Sequence, residues 1–571
     1  MLYKLSLLIS LLLLSVLNHL ALAKPEKSSA SFQLEEATIQ SIHTAIKKRQ
    51  LTCEQLVQAY LDRIKKYNLS VDDKPPINAI TEINLTALDS ARQLDAAYTA
   101  NKKLTGPLHC IPVILKDNID SIDMTTTTGS FALLGTQPIQ DAFLVARLRQ
   151  AGAIILAKGG MDEFSWGMFG ISSRSGRIGN AYDRNKNPGG SSGGPAAAVS
   201  ANFAVLGIGT DNSGSVRIPA AFNGLVGLRP STGLISQSGI FPMGNLDGIA
   251  GPMARTTTDL AIVLDVLAQT DATDKKTMGI PRIKTYTVFL NKQGLQGKRI
   301  GIVTQVGDMH TFKNMPDDIQ KILQAAYQTM QQQGATLIEV SLPQFDNQRK
   351  FNQAGEIEDV DAYLTAFPAT RQNFRDICES NRTKTFGDRE KCLNFIHTMP
   401  SKNTTQYQQA LNIFAKNKHY LHKIMAQYQL DALLIPISTQ GIATYDAFAV
   451  NTWQAPVSSN SGLPAITIII GYNKEKLPIG IELVGKQFNE GGLIELAYAY
   501  ENRVGLRIAP TLPLSQSALA NYSIAELNNL FTVIGTTAYE KVLKNSKLDP
   551  KQMGGLTPEI FKQLVVEELA K

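Results

Sequence analysis

The chain holds only four cysteines in 571 residues, at Cys53, Cys110, Cys378 and Cys392. That excludes a small disulfide-built scaffold, which is short and cysteine-dense. No Cys-x-x-Cys occurs, and the seven histidines include no His-Glu-x-x-His, so no zinc motif is present. His419 and His422 share a helical face, but no third ligand accompanies them, and both read as surface residues. Tryptophan occurs twice, and aromatics make up 7% of the chain. Charge blocks are missing too: 56 Lys+Arg against 49 Asp+Glu leave a scattered +7, which argues against a nucleic-acid footprint. Beyond the N-terminus no apolar run reaches the roughly 20 residues of a spanning helix. What remains is globular in composition, 43% hydrophobic and 18% charged, and long enough for one very large domain or several ordinary ones.

The N-terminus reads as a signal peptide. Lys4 supplies the positive end, residues 5–17 a short apolar core, and Ala21-Leu22-Ala23 a small-x-small cleavage site. Cleavage after Ala23 predicts an exported mature protein, periplasmic in a Gram-negative source and otherwise secreted, with no stable membrane insertion afterwards. An uncleaved anchor is the alternative. A lipid anchor is excluded, because no cysteine precedes Cys53. In an oxidising compartment the even cysteine count permits disulfides, with Cys378 and Cys392 the favoured pair; four free thiols is the other reading.

Apolar residues recur at helical spacing over 37–67, with Thr52-x-x-Gln55 as a capping box. Residues 111–115 form a short buried strand that delivers Lys116, and 153–157 form a second strand after a helix over 143–150. A small-residue helix is expected over 195–204, followed by an apolar strand over 204–208. Further on, 299–303, 317–333 and 336–340 read as strand, helix, strand, and 432–436, 465–470 and 479–484 as three more strands. Strands alternating with helices predict an α/β fold: one large domain over 37–514 with a mixed sheet covered by helices on both faces. It follows a linker at 24–36, carries a variable helical insertion at 347–425, and precedes a C-terminal extension at 515–571 with amphipathic helices at 524–530 and 558–570.

The stretch "PGGSSGGP", residues 188–195, reads in isolation as a flexible linker or as a G-x-S-x-G nucleophile turn. The second needs a strand just before the serine, and "NAYDRNKNP" is polar and turn-like. A linker, in turn, has no reason to lead into a small-residue helix, an apolar strand, and then "GIGTDNSGSVRIPA", residues 207–220. Asp211 and Arg217 in that second Gly/Ser turn are expected to pair and fix its shape. Residues 480–487 nearly match a phosphate loop but lack the Ser/Thr and read as strand and turn.

The run from Gly189 to Pro219 resembles the signature of the amidase signature family of serine hydrolases. "PLHCIPVILKDNID", "GAIILAKGGMDEFSWG", "GLVGLRPSTGLIS", "DGIAGPMARTTTDLAIVLDVL" and "SGLPAITIIIGYNKEKLPIGIELVGKQFNEGGLIELAYAYE" resemble further family blocks, in order. The likeness covers about 37–513, loosely over 282–432. It implies a Ser–Ser–Lys triad, with Ser215 as nucleophile, Ser191 as the bridging serine after a cis peptide from Gly190, and Lys116 as base. Lys158 is the competing lysine; Lys116 is preferred. The backbone N–H groups of Asn212, Ser213, Gly214 and Ser215 correspond to the family's oxyanion hole, and Ser192, Asp211 and Arg217 support the site. Ser213 and Cys110 depart from the pattern by standing where glycine is usual.

The chemistry is coherent. A free lysine has a pKa of ~10.4, and burial lowers it, so a neutral Lys116 receives the proton of Ser215 through Ser191. Neither metal nor organic cofactor is needed. The expected partner is a small-molecule amide, on a monomer or homodimer that binds no nucleic acid. The implied activity is that of an amidase acting on a linear amide through an acyl-enzyme. The alternatives are a glutaminase-type amidotransferase subunit and a non-catalytic exported binding protein. The acyl group and leaving amine stay open; 125–134, 161–169 and the insertion are expected to shape the pocket.

Overall fold

The computed structural model describes residues 32–571, apart from 243–245, 247, 313–314, 348–352, 384–388, 443–455, 506, 513–518 and 541–555. The expected signal peptide at 1–23 and the expected boundary at 514/515 lie outside the described residues.

Short runs rich in Ile, Val and Ala become strands, because branched side chains pack well on a pleated surface. In chain order they are β1 (Ile80–Ile83), β2 (Pro112–Lys116), β3 (Ile154–Gly159), β4 (Ile171–Ser172), β5 (Gly176–Arg177), β6 (Leu206–Asp211) and β7 (Val226–Arg229). Then come β8 (Ile249–Ala254), β9 (Arg299–Val306), β10 (Met309–His310), β11 (Thr336–Leu342), β12 (Ala432–Pro436), β13 (Ala465–Tyr472) and β14 (Pro478–Gly485). Except for the β4–β5 hairpin they form one mixed sheet, ordered β1-β3-β2-β6-β8-β7-β13-β14-β12-β9-β10, with β11 also on β9. β2 runs parallel to both β3 and β6, whereas β8, β7, β13 and β14 follow antiparallel. The expected unit at 299–340 is real: β9 and β11 pair in parallel across the helix Asp317–Gln332.

Helices cover both faces. A Cβ on Gly480 of β14 would meet Ala221 of the helix Arg217–Phe222, and one on Gly485 would meet Leu493 of the helix Glu490–Val504. These glycines are an odd number of residues apart, so they face opposite sides of the sheet. Near the N-terminus the helix Cys53–Tyr67 starts at the Thr52/Gln55 capping box the sequence predicts.

Some boundaries differ from expectation for physical reasons. The small-residue helix is Gly193–Ser200, not 195–204. Pro195 fits its first turn, where no N–H partner is needed, and Asn202 at φ +60° ends it in the left-handed region. The helix expected at 524–530 runs on to Ala538 through Gly535, where any Cβ would strike Arg174 O. Asn528 of that helix accepts from Ile83 N at 2.7 Å and donates to Ile83 O at 2.8 Å. The helix Ile524–Ala538 thereby covers the exposed edge of β1.

The insertion is helical at Glu356–Thr365, Phe374–Glu379, Arg389–Thr398 and Thr405–Gln427. Cys378 and Cys392 are joined across it, and Cys53 is joined to Cys110. The second bond accounts for cysteine in place of glycine at Cys110, which sits at φ +65°. The fold also brings His109 beside Cys53 and Cys110, a cluster invisible in their spacing, but the two sulfurs are bonded to each other. Among the described residues no helix is long and apolar enough to cross a membrane.

Candidate active site

Three parallel neighbours, β3, β2 and β6, end side by side, and the chain leaves each at its C-terminal end. That is where open α/β sheets place their ligands. Lys116 is the last residue of β2 and is fully buried. Its Nζ lies 2.7 Å from Ser191 Oγ, 2.7 Å from Thr210 Oγ1, 3.1 Å from Ser165 Oγ and 3.4 Å from Thr210 O. Burial pushes the ammonium down to about 7, against the carboxylates of Asp162 and Asp211, which favour the charge.

Lys158, the competing lysine, is registered against Leu115, so it faces the other side of the sheet from Lys116. Its Nζ donates to Ile119 O at 2.6 Å and to Thr126 Oγ1 at 3.1 Å, which ties down the turn after β2.

The Gly190–Ser191 peptide is cis, as the resemblance implies. Its surroundings leave no room for side chains. A Cβ on Gly190 would collide with the Asp162 carboxylate and the Met168 backbone, and one on Gly189, at φ +74°, with Pro219. Asp162 accepts from Phe169 N at 3.1 Å, Gly170 N at 3.0 Å and Ile171 N at 3.3 Å, and so closes the loop that flanks this turn.

The turn after β6 is stitched to the first. Ser192 N donates to Ser215 O at 3.1 Å, and Ser192 Oγ donates to Thr210 O at 3.2 Å and accepts from Thr210 N at 3.3 Å. Ser192 therefore supports the site structurally. Ser215 is 6% exposed, against 0% for Ser191 and Lys116. Its Oγ makes no hydrogen bond among the described residues.

Asp211 and Arg217 pair as expected, Nε to Oδ2 at 3.0 Å, but two further residues join them. Arg229 lies 3.2 Å from Asp211 Oδ1, and Arg217 Nη1 also pairs with Glu482 Oε2; all four are fully buried. Burial raises the Asp211 carboxyl, yet Arg217 and Arg229 outweigh it and hold it well below the usual carboxylate range. Asp211 also accepts from Gly214 N at 2.7 Å and Val216 N at 3.1 Å. This corrects one expectation. The Gly214 N–H is committed to Asp211 and is not an open oxyanion donor, although Gly214 itself is required by its φ of +119°.

Ser165, Thr210, Asp162, Arg229 and Glu482 escaped the sequence reading. For Glu482 and Arg229 the signal was a lone charge inside an apolar strand. A cavity of about 140 Å³ adjoins the site, lined by Asn118, Thr210, Asn212, Gln237, Phe241 and Ile249 among others. None of the segments expected to shape the pocket is among its lining residues, but two of them, 161–169 and the insertion, back one wall of it. Phe164 and Tyr363 pack on Phe241, with ring centroids 6.3 and 5.0 Å away.

A family model described as Amidase matches residues 55–494. The chain belongs to the amidase signature family. It is 31% identical to the peptide amidase of Stenotrophomonas maltophilia, over 84% of this chain and 99% of that one, with a TM-score of 0.77. It is 33% identical to a glutamyl-tRNA(Gln) amidotransferase subunit of Alkaliphilus metalliredigens, over 83% of this chain and 98% of the relative. It is 31% identical to a probable amidase of Arabidopsis thaliana, over 84% and 93% of the two chains. Like other amidase signature proteins it is one large domain with a mixed sheet at its core, and it is an amide-hydrolysing enzyme.

Proposed function

We propose that the protein hydrolyses a linear carboxylic amide through a Ser215–Ser191–Lys116 relay and an acyl-enzyme. The observation that carries the reading is the 2.7 Å contact between Lys116 Nζ and Ser191 Oγ, in a pocket that favours the neutral amine. Ser215 Oγ bonds to the amide carbon as its proton passes to Ser191, while the proton of Ser191 passes to Lys116. The ammonium returns a proton along the same route to the leaving nitrogen as the C–N bond breaks. Water then repeats the sequence on the ester and releases the acid. The developing oxyanion is met by N–H groups of Asn212, Ser213 and Ser215, each such donor being worth about 3 kcal/mol in acyl transfer. The proposal includes export after cleavage at Ala23, which N-terminal sequencing of the mature protein checks.

The likeness to an amidotransferase component favours a second reading, a glutaminase acting within a complex. A screen of amides and esters, with glutamine included, separates the two. Turnover of simple amides by the isolated chain supports the amidase. Glutamine hydrolysis confined to preparations with a co-purifying partner supports the other. A serine-directed fluorophosphonate should label Ser215, and Ser215→Ala and Lys116→Ala should each nearly abolish turnover. Wild-type turnover in Lys116→Ala would end the relay mechanism.

A further inference from the structure

Ser165 follows β3 in the segment that reads "MDEFSWG", and it has an unusual backbone. Its φ is +59°, and that of the preceding Phe164 is +55°. The left-handed region favours glycine, yet a serine occupies it. Its N–H is used locally, donating to Asp162 O at 3.0 Å. Its hydroxyl meets one partner among the described residues, Lys116 Nζ, at 3.1 Å.

A neutral amine has two N–H bonds and one lone pair. To accept the proton of Ser191, Lys116 must aim that lone pair at Ser191 Oγ, so both N–H bonds need acceptors elsewhere. The two hydroxyl oxygens within reach on other segments are Thr210 Oγ1 at 2.7 Å and Ser165 Oγ at 3.1 Å. Thr210 O, at 3.4 Å, is the remaining, longer contact.

We propose that Ser165 is a positioning residue of the relay: with Thr210 it holds the two N–H bonds of Lys116, so that the lone pair faces Ser191. Once Lys116 is protonated, its three N–H bonds go to Ser165, Thr210 and Ser191, and the third is the proton returned to the leaving group. No bond is made or broken at Ser165 itself. Removing its oxygen frees one N–H to turn onto Ser191 Oγ, which misdirects the lone pair, and it withdraws one acceptor from the ammonium.

The inference rests on the triad reading above, and the test separates the two. Ser165→Gly and Ser165→Ala are made in the full chain, and kcat and KM are followed against pH on an amide found by the screen. Glycine suits the φ of +59°, so that variant keeps the backbone relaxed even if alanine perturbs folding. The carboxylates that act on Lys116, those of Asp162 and Asp211, are unchanged in both, and Lys158 lies on the opposite face of the sheet. The expected result is a plateau kcat lower by about tenfold with KM unchanged. The acid limb should also move to lower pH by roughly half a unit to one unit, because the ammonium has lost an acceptor. An acid limb that stays in place or moves up in Ser165→Gly overturns the proposal. Turnover persisting in Lys116→Ala would instead overturn the triad reading beneath it.

Discussion

Arg217 Nε lies 3.0 Å from Asp211 Oδ2, with both side chains fully buried and Arg217 reaching on to Glu482 in β14. One guanidinium thus ties the turn that carries Ser215 to a strand far away in sequence. Deleting one partner of such a cluster leaves buried charge uncompensated, which costs about 3–5 kcal/mol. Arg217→Met should therefore lower the melting temperature by several degrees and depress turnover. The Asp211 carboxyl is held low in the folded state, so its contribution is present at neutral pH and is lost as pH falls through the acid range. The wild-type advantage over Arg217→Met, measured by thermal unfolding, should accordingly shrink towards low pH. Equal melting at neutral pH would remove this cluster from the account of stability.

Lys116 gives the activity its pH dependence. Burial holds its folded-state pKa at about 7, so kcat/KM should rise with pH through about 7 as the amine becomes neutral. The linkage to stability has a defined sign. Between about 7 and the ordinary lysine value the unfolded chain binds the extra proton, so stability should increase with pH across that window. Lys116→Met should lose that slope along with the activity, and it should melt above wild type at pH 6. Urea titrations at several pH values read both effects.

Gly190 is needed for want of space. A single methyl there would meet the Asp162 carboxylate and the Met168 backbone, in a loop that three backbone N–H groups already tie to Asp162. Gly190→Ala should displace Ser191 and reduce kcat by at least about 100-fold, since small misplacements of reacting groups are costly. Near-normal kcat would mean that the loop has slack the packing does not show.

These residues also mark what could be read from the sequence. Ser191 and Ser215 lie in local small-residue turns, and the strand that ends in Lys116 announces itself as a short apolar run. Ser165 and Thr210 lie in the same blocks, but nothing local says that their hydroxyls meet Lys116, because that depends on how β3, β2 and β6 lie together. Glu482 reaches Arg217 across 265 residues, and Asn528 reaches Ile83 across 445. Such contacts follow from the order of strands in the sheet, which periodicity does not encode. The Gly214 expectation failed for a related reason. A turn rich in N–H groups looks like an oxyanion hole until its own aspartate takes one of them.

The insertion supplies the last test. Cys378 and Cys392, 14 residues apart, join the helices Phe374–Glu379 and Arg389–Thr398. Phe374 and Phe395 of those helices belong to an aromatic cluster with Phe164 and Trp166, the residues on either side of Ser165. Closing a loop of this length is worth about 3 kcal/mol in the chain-entropy account. That stabilisation falls on the part of the insertion that these rings pack against the segment after β3. Cys378→Ser with Cys392→Ser should therefore loosen the insertion before the sheet. Limited proteolysis should cut between the two positions in the double variant while the sheet stays intact, and activity should fall as Phe164 loses its backing. Identical digestion of the two proteins would show that the aromatic packing holds the insertion without the bond.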